Sequence, residues 1–385
     1  MKRLILLLGV LCLALMAMSC APVTPAAQPT SALAQPTAAP AQPTAAAQPT
    51  TAAAKTPKYH RFGFLVLQSG TKRYFGADVP NFTQVAKDAG YEVIAQSAEN
   101  DAKTQVSQAE NLLTQGIDVL VLQPVNNETA AGIVTEANEA GVPVISYNDL
   151  VSNAPIVAFV GRDPEVGGRV SAEAALKVHP TGNYVLISGD PGQTVATGFM
   201  KGYKAGLDEA VKAGKVKIVA EQFDPEWKTE TAVSIIENAL TQNKNDIQAV
   251  LVAYDAMAFG VMDALKAQGL EPGIGPNQVF VTGQDVLEGG AQAIAEGRMG
   301  GSAWGEFGEM GKRAAETAIA VAEGRDFKYD SMIDNGSGKP IPWVQAPIYL
   351  VTKDNLAEWA CKNPWWLTID TIYKNIPKDQ WPKCP

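Results

Sequence analysis

From residue 62 onward the chain repeats one unit, a short unbroken apolar run followed by a stretch with helical character. The runs fall at 62–67, 91–95, 119–123, 143–147, 157–160, 184–188, 216–220, 249–253 and 279–282. Helical stretches lie near 79–89, 101–115 and 127–140, and between the later runs. Continuous hydrophobicity, rather than alternation, means strands buried on both faces, as a parallel sheet covered by helices requires. The spacing predicts a doubly wound α/β fold. The strands are too many for one such sheet, and the chain after residue 56 is too long for one ordinary core. Two sheets in two lobes are therefore expected. Ligands of doubly wound sheets sit beyond the carboxyl ends of the strands.

Several of those ends are polar. Ser146, Tyr147, Asn148 and Asp149 close one run; Gly161, Arg162 and Asp163 close another. Ala253, Tyr254 and Asp255 end a third, and Gly283, Gln284 and Asp285 a fourth. Carboxylates and amides beside aromatic rings suit a polyhydroxylated ligand, because each hydroxyl both donates and accepts and an ionised Asp accepts strongly. For any one Asp the competing reading is a helix N-cap, since Asp255 and Asp285 both precede helical stretches. Four such ends in one chain favour a site.

Composition removes other classes. The chain is 46% hydrophobic and 18% charged with a net charge of −9, which describes a soluble acidic protein. No Lys/Arg-rich stripe offers itself to phosphates, so no nucleic-acid partner is expected. His60 and His179 lie outside the strand-end motifs and no Gly-x-Ser-x-Gly elbow is present, which argues against a nucleophilic hydrolase. Asp255 and Asp285 could form the carboxylate pair of a glycosidase, but nothing in the sequence raises the pKa of either. The expectation is a binding protein, not an enzyme, with no cofactor and, lacking a Cys/His cluster, no metal.

The ends of the chain have their own logic. Lys2 and Arg3 precede an apolar run over 4–16, and Ala17, Met18 and Ser19 lead into Cys20. The run is short for a membrane span, so residues 1–19 are expected to be a removed signal peptide. A Cys placed after small residues resembles a bacterial lipobox, which makes Cys20 the expected lipidation site; an ordinary signal that happens to carry a Cys is the alternative. Residues 21–56 are almost entirely Ala, Pro, Thr, Gln and Ser with one charge, Lys55, and Gln-Pro-Thr recurs at 28–30, 35–37, 42–44 and 48–50. That composition predicts a disordered spacer over 20–57. Cys361 and Cys384 remain as an even pair in an oxidising compartment, so a disulfide is expected. It would hold a cap over 355–385, which carries Trp359, Trp365, Trp366 and Trp381.

Residues 116–124, 140–145, 254–260 and 283–285 together resemble the sugar-binding proteins of bacterial ABC importers, the group that includes the ribose, galactose/glucose and xylose binders. Residues 105–111, 182–184, 214–219 and 236–240 look most like the xylose binder's pattern. The resemblance covers residues 59–353. It implies a type I periplasmic binding protein, with two lobes joined by three hinge strands that close on a monosaccharide, an aldopentose or aldohexose. It implies the permease of a sugar importer as partner, a monomer, and work outside the cytoplasm on a lipid anchor. By position, Tyr74 and Phe75 match the aromatic region after the first strand, and Asn148 the polar residue after the fourth. Asp163 matches a ligand-binding Asp, with Arg162 beside it. Gln193 falls near a side chain that lines the site, Trp227 matches a stacking Trp, and Asp285 matches the Asp that takes ring hydroxyls. Trp304 lies at a hinge crossing. Asp149 stands where the ribose and xylose binders carry Arg, and Tyr254 replaces the usual Asn before Asp255. These departures leave the sugar open, and a nucleoside or quorum signal is the alternative ligand. The expected lobes are 58–155 with 305–335, and 156–304 with 336–354.

Overall fold

The structure, a computed structural model, describes residues 57–127 and 129–384; the expected signal peptide, Cys20 and nearly all of the expected spacer lie outside the described residues. In chain order the elements of the first part are β1 (Arg61–Val66), α1 (Val79–Asp88), β2 (Glu92–Ser97), α2 (Ala102–Gln115), β3 (Val119–Leu122), α3 (Ala130–Glu139), β4 (Val144–Tyr147) and β5 (Ala158–Arg162). Next come α4 (Pro164–Val178), β6 (Gly182–Ser188), α5 (Thr194–Lys212), β7 (Val216–Phe223), α6 (Thr229–Gln242), β8 (Ala249–Val252), α7 (Asp255–Ala267), β9 (Phe280–Gln284), α8 (Glu288–Ala295) and β10 (Gly301–Gly305). The rest is α9 (Phe307–Ala322), β11 (Ser331–Ile333), β12 (Ile341–Ala346), β13 (Ile348–Val351), α10 (Leu356–Lys362) and α11 (Ile369–Ile372).

These strands form two sheets, ordered β11-β12-β5-β4-β3-β1-β2 and β13-β10-β9-β8-β6-β7. In each, five parallel strands follow the 2-1-3-4-5 order of a doubly wound sheet; late in the chain the first sheet gains β12, parallel to β5, with antiparallel β11 at its edge, and the second gains antiparallel β13. The cause lies in the apolar runs: β3, β4 and β8 are buried at every position, so helices must cover both faces. Helix ends follow local chemistry too. Asp101 caps α2 by accepting from the Thr104 amide at 2.6 Å, and Gly116 ends that helix at φ +80°.

The chain crosses between the sheets after Arg162, after Gly305 and at Pro347. Two of these crossings differ from expectation. The expected second lobe includes the run at 157–160, yet β5 pairs with β4 and β12 in the first sheet. Likewise β12, expected in the second lobe, lies in the first sheet. Periodicity identifies a strand but not its neighbour, and sheet membership here is set by pairings such as Trp343 with Phe159, whose rings stack at 5.6 Å. Among the described residues no helix is long and apolar enough to cross a membrane.

Candidate ligand-binding site

The carboxyl ends of both sheets contribute to one buried polar cluster. After β1 the chain enters a π-helical turn, Tyr74–Asp78, buried at Tyr74, Ala77 and Asp78. Asp78 gathers three hydrogen bonds. Tyr147 Oη donates to Oδ1 at 2.5 Å, Arg73 Nη2 donates to the same oxygen at 2.7 Å, and Arg73 Nε donates to Oδ2 at 3.2 Å. Buried ion pairs offset their desolvation only when so fully bonded. Burial alone lowers the Arg73 pKa, but Asp78 together with Tyr74 and Asp285 outweighs it and the guanidinium ends above its ordinary value. Arg73 Nη1 then donates to Asn148 Oδ1 at 3.1 Å. Asn148 holds φ +62°, a conformation that Asn tolerates better than most residues. Gln123, just past β3, donates to Tyr74 Oη at 2.9 Å. Gln123 Oε1 and Asn127 Oδ1 are buried with no partner among the described residues.

Asp285 meets this face from the end of β9. It and Val286 hold consecutive positive φ values, +81° and +44°. Gln284 Nε2 donates to Asp285 Oδ1 at 3.0 Å, while Gln284 Oε1 is buried without a hydrogen-bond partner among the described residues. Arg162, the last residue of β5, brings Nη1 to 3.5 Å from the same Asp285 oxygen. Its Nε and Nη1 have no hydrogen-bond partner among the described residues although the side chain is 1% exposed. Gly305 makes room for it: a Cβ there would stand 2.7 Å from Arg162 Cδ. Burial, then the charge of Arg73, pushes Arg162 below its ordinary pKa. Phe307 receives both cations, with guanidinium carbons 3.9 Å (Arg73) and 5.3 Å (Arg162) from its ring centre.

Aromatic side chains complete the cluster. Trp227, at φ +56°, lies against Gly189, where a Cβ would fall 2.0 Å from the indole. Its Nε1 donates to Gln193 Oε1 at 3.0 Å, and its ring meets Tyr254 edge-on at 6.2 Å. Gln193 reaches the other lobe, Nε2 to the Val125 carbonyl at 3.5 Å. Burial, with Asp285 and Asp255 adding to it, pushes the Tyr254 phenol up to about 12, so it stays a neutral hydrogen-bonding group. The result is a set of fixed donors and acceptors beside aromatic faces, which is equipment for holding a polar molecule.

The structure brings Tyr74, Asn148, Arg162, Gln193, Trp227, Tyr254 and Asp285 to this seam. Four expected residues stand elsewhere or act differently. Phe75 is 42% exposed, turned outward one residue beyond the buried Tyr74. Asp163 follows Arg162 directly, so its side chain faces the other way. It caps α4, accepting from the Glu165 amide at 2.9 Å, and lines a groove of about 240 Å³ with Lys201, Thr194 and Trp343. Asp255 is wholly buried under the Asp285 loop, with Ser302 Oγ donating to Oδ1 and the Leu287 amide to Oδ2, each at 2.7 Å. Burial pushes it up to about 8. Trp304 is fully buried against Phe307 at 4.6 Å, Trp359 at 5.0 Å and Trp366 at 5.4 Å. Arg73, Asp78, Gln123, Asn127 and Phe307 were not singled out by the sequence. Arg73 and Gln123 follow β1 and β3, the strands flanking the order reversal, and that position is a usable signal.

Two doubly wound sheets whose strand ends share a buried polar seam define a bilobal receptor. The chain belongs to the periplasmic binding protein family: residues 62–326 match the periplasmic binding protein domain. It is 34% identical to the D-xylose-binding periplasmic protein of Haemophilus influenzae over 292 residues, 76% of this chain and 86% of that one. Against the D-xylose-binding periplasmic protein of Escherichia coli K12 it is 34% identical over 282 residues, 73% and 84% of the two chains. The fold is shared with an ABC transporter solute binding protein of Clostridium phytofermentans, crystallised with β-D-glucose, at a TM-score of 0.71 and 24% identity. That match covers 81% of this chain and 99% of the other.

Proposed function

We propose that this protein is the extracytoplasmic solute-binding component of a sugar ABC importer. It takes one monosaccharide, an aldopentose or aldohexose of the xylose type, between its lobes by domain closure. The observation that carries the reading is the set of buried polar atoms at the seam that lack a hydrogen-bond partner among the described residues: Arg162 Nε and Nη1, Gln284 Oε1, Gln123 Oε1 and Asn127 Oδ1. An unpartnered buried polar group costs about 1–3 kcal/mol, and hydroxyls that satisfy several at once recover that cost. Asp285 accepts ring hydroxyls, Arg162 and Asn148 donate to them, and Trp227 and Tyr254 cover the apolar face of the ring. The two relatives named for D-xylose support the sugar class. Gln193 and Asp149 bind the lobes to each other. Lipid on Cys20 tethers the receptor near its permease, with residues 21–56 as spacer.

Thermal melting and calorimetry with D-xylose, D-ribose, D-glucose, D-galactose and a set of nucleosides test this. A ligand specific for the native state raises the melting temperature through mass action. One or two of the sugars should do so, with binding saturating at one site per chain. A response to nucleosides alone, or to nothing in the panel, overturns the sugar assignment.

A further inference from the structure

The C-terminal segment lies beyond the part of the chain that matches the family domain. Cys361 and Cys384 are joined in a disulfide across a separation of 23 residues. The segment between them docks on α8 through Gln292 Nε2 to the Thr371 carbonyl at 3.0 Å and Lys374 to Glu288 at 2.9 Å. One side chain goes further. Trp366 is 3% exposed, and its Nε1 donates to the Val286 carbonyl at 2.9 Å.

That carbonyl matters because Val286 is a β-branched residue at φ +44°, directly after Asp285 at φ +81°. Such backbone is costly and persists only where its surroundings over-determine it. The loop's other bonds come from within the second lobe: the Asp285 amide to the Ala303 carbonyl at 2.9 Å, the Val286 amide to Ser302 Oγ at 2.9 Å, and the Leu287 amide to Asp255 at 2.7 Å. Trp366 supplies the bond from outside. It also touches the first lobe. Lys72 Nζ donates to the Trp366 carbonyl at 2.5 Å and lies 4.9 Å from its ring, and Lys72 directly precedes Arg73.

We propose that the C-terminal segment is a working part of the ligand site, with Trp366 as positioning residue for Asp285 and Lys72 as its clasp across the lobes. The proposal rests on the sugar-binding reading above. Trp366 fixes the loop that presents Asp285 to the ligand, and the Lys72 contact forms only when the lobes are together, so opening must break it.

Three variants test it. Trp366→Phe keeps an aromatic disc and removes the N–H; Lys72→Met keeps the exposed stem and removes the cation; Asp285→Asn reports on the site itself. Calorimetry and stopped-flow fluorescence use D-xylose and D-glucose, and hydrogen exchange is followed in the sugar-free protein. Trp366→Phe should weaken binding about tenfold, the size of one lost hydrogen bond. It should also speed exchange of the 285–288 amides while strands β6 and β8 stay protected and the sugar-free melting temperature stays within a few degrees of the parent. Lys72→Met should leave loop exchange unchanged and raise the dissociation rate several-fold with little change in association. Native loop exchange in Trp366→Phe overturns the positioning role, and needs no ligand to be seen. If Trp366→Phe does not fold, a native dissociation rate in Lys72→Met overturns the clasp. If Asp285→Asn loses binding while the other two bind normally, the inference fails alone; if Asp285→Asn binds normally, the sugar-site reading fails with it.

Discussion

Asp255 and Asp285 have the same signature in sequence, an Asp after a buried strand and before a helix, and the fold gives them different work. Asp285 stands at the seam with Arg162 at 3.5 Å. Asp255 lies beneath it with both oxygens taken by Ser302 and Leu287. No pattern of neighbours separates them, because the difference is set by a loop whose φ values reach +81° and +44°. Burial raises Asp255 from 3.8 to about 8, and this has a sign that can be tested. A carboxyl whose folded pKa lies above its unfolded one binds its proton more tightly in the folded state. Its contribution to stability is full below about pH 4 and is lost as pH rises towards about 8. Asp255→Asn cannot titrate, so its stability relative to the parent should improve steadily between those limits. Denaturant unfolding at pH 4.5, 6 and 8 measures this; curves that stay parallel would show that the carboxyl is ionised throughout.

At the scale of elements, the alternation of strands and helices was readable, because a strand buried on both faces writes an unbroken apolar run. What could not be read was pairing. β5 looked like the start of a second lobe and is the last parallel strand of the first until β12 returns beside it. Non-local partners of this kind leave no local trace. The same holds for α5. Its N-cap residue, Gln193, makes no side-chain cap bond. The cap comes from the other lobe: Asp149 Oδ1 accepts from the Val195 amide at 3.0 Å and from Thr194 Oγ1 at 3.2 Å, while Thr194 Oγ1 accepts from the Leu150 amide at 2.9 Å. A carboxylate at a helix N-terminus stabilises both through the amides and the helix dipole. Asp149 stood out in the sequence as a departure from the Arg of the ribose and xylose binders, and the structure supplies a use for it. Since the bond spans the lobes, it holds the two together rather than stabilising either sheet. Asp149→Ala should therefore cost about 1 kcal/mol in ligand affinity, the usual value of a cap. Melting of the sugar-free protein should change less than that. Calorimetry beside sugar-free melting checks it, and a loss confined to sugar-free stability would place the cap's value within the fold alone.

Over the whole molecule the two sheets repeat one strand order, and the repetition makes a seam where the strand ends of both meet. That much followed from counting apolar runs. The C-terminal segment did not, because Trp304, Trp359 and Trp366 meet only after the chain has crossed the seam for the third time. The start of the folded unit is sharper than composition suggested. Asp118, just before β3, accepts from the Lys58 amide at 2.7 Å, the Tyr59 amide at 3.0 Å and the Arg61 amide at 3.1 Å. The Tyr59 ring lies on Gly116, where a Cβ would meet it at 2.5 Å. These contacts tie residues 58–61 to the first lobe. A chain beginning at Lys58 should bind ligand as the full chain does. One beginning at Phe62 leaves the buried part of Asp118 short of its donors and should lose about 1–3 kcal/mol of stability. In cells the proposed lipid tether would reverse the order, by raising the receptor's effective concentration at the permease. Replacement of Cys20 should slow sugar uptake without changing affinity in solution. Equal uptake with and without Cys20, or weakened binding in the chain that begins at Lys58, would mean that the first 57 residues do something other than anchor and space.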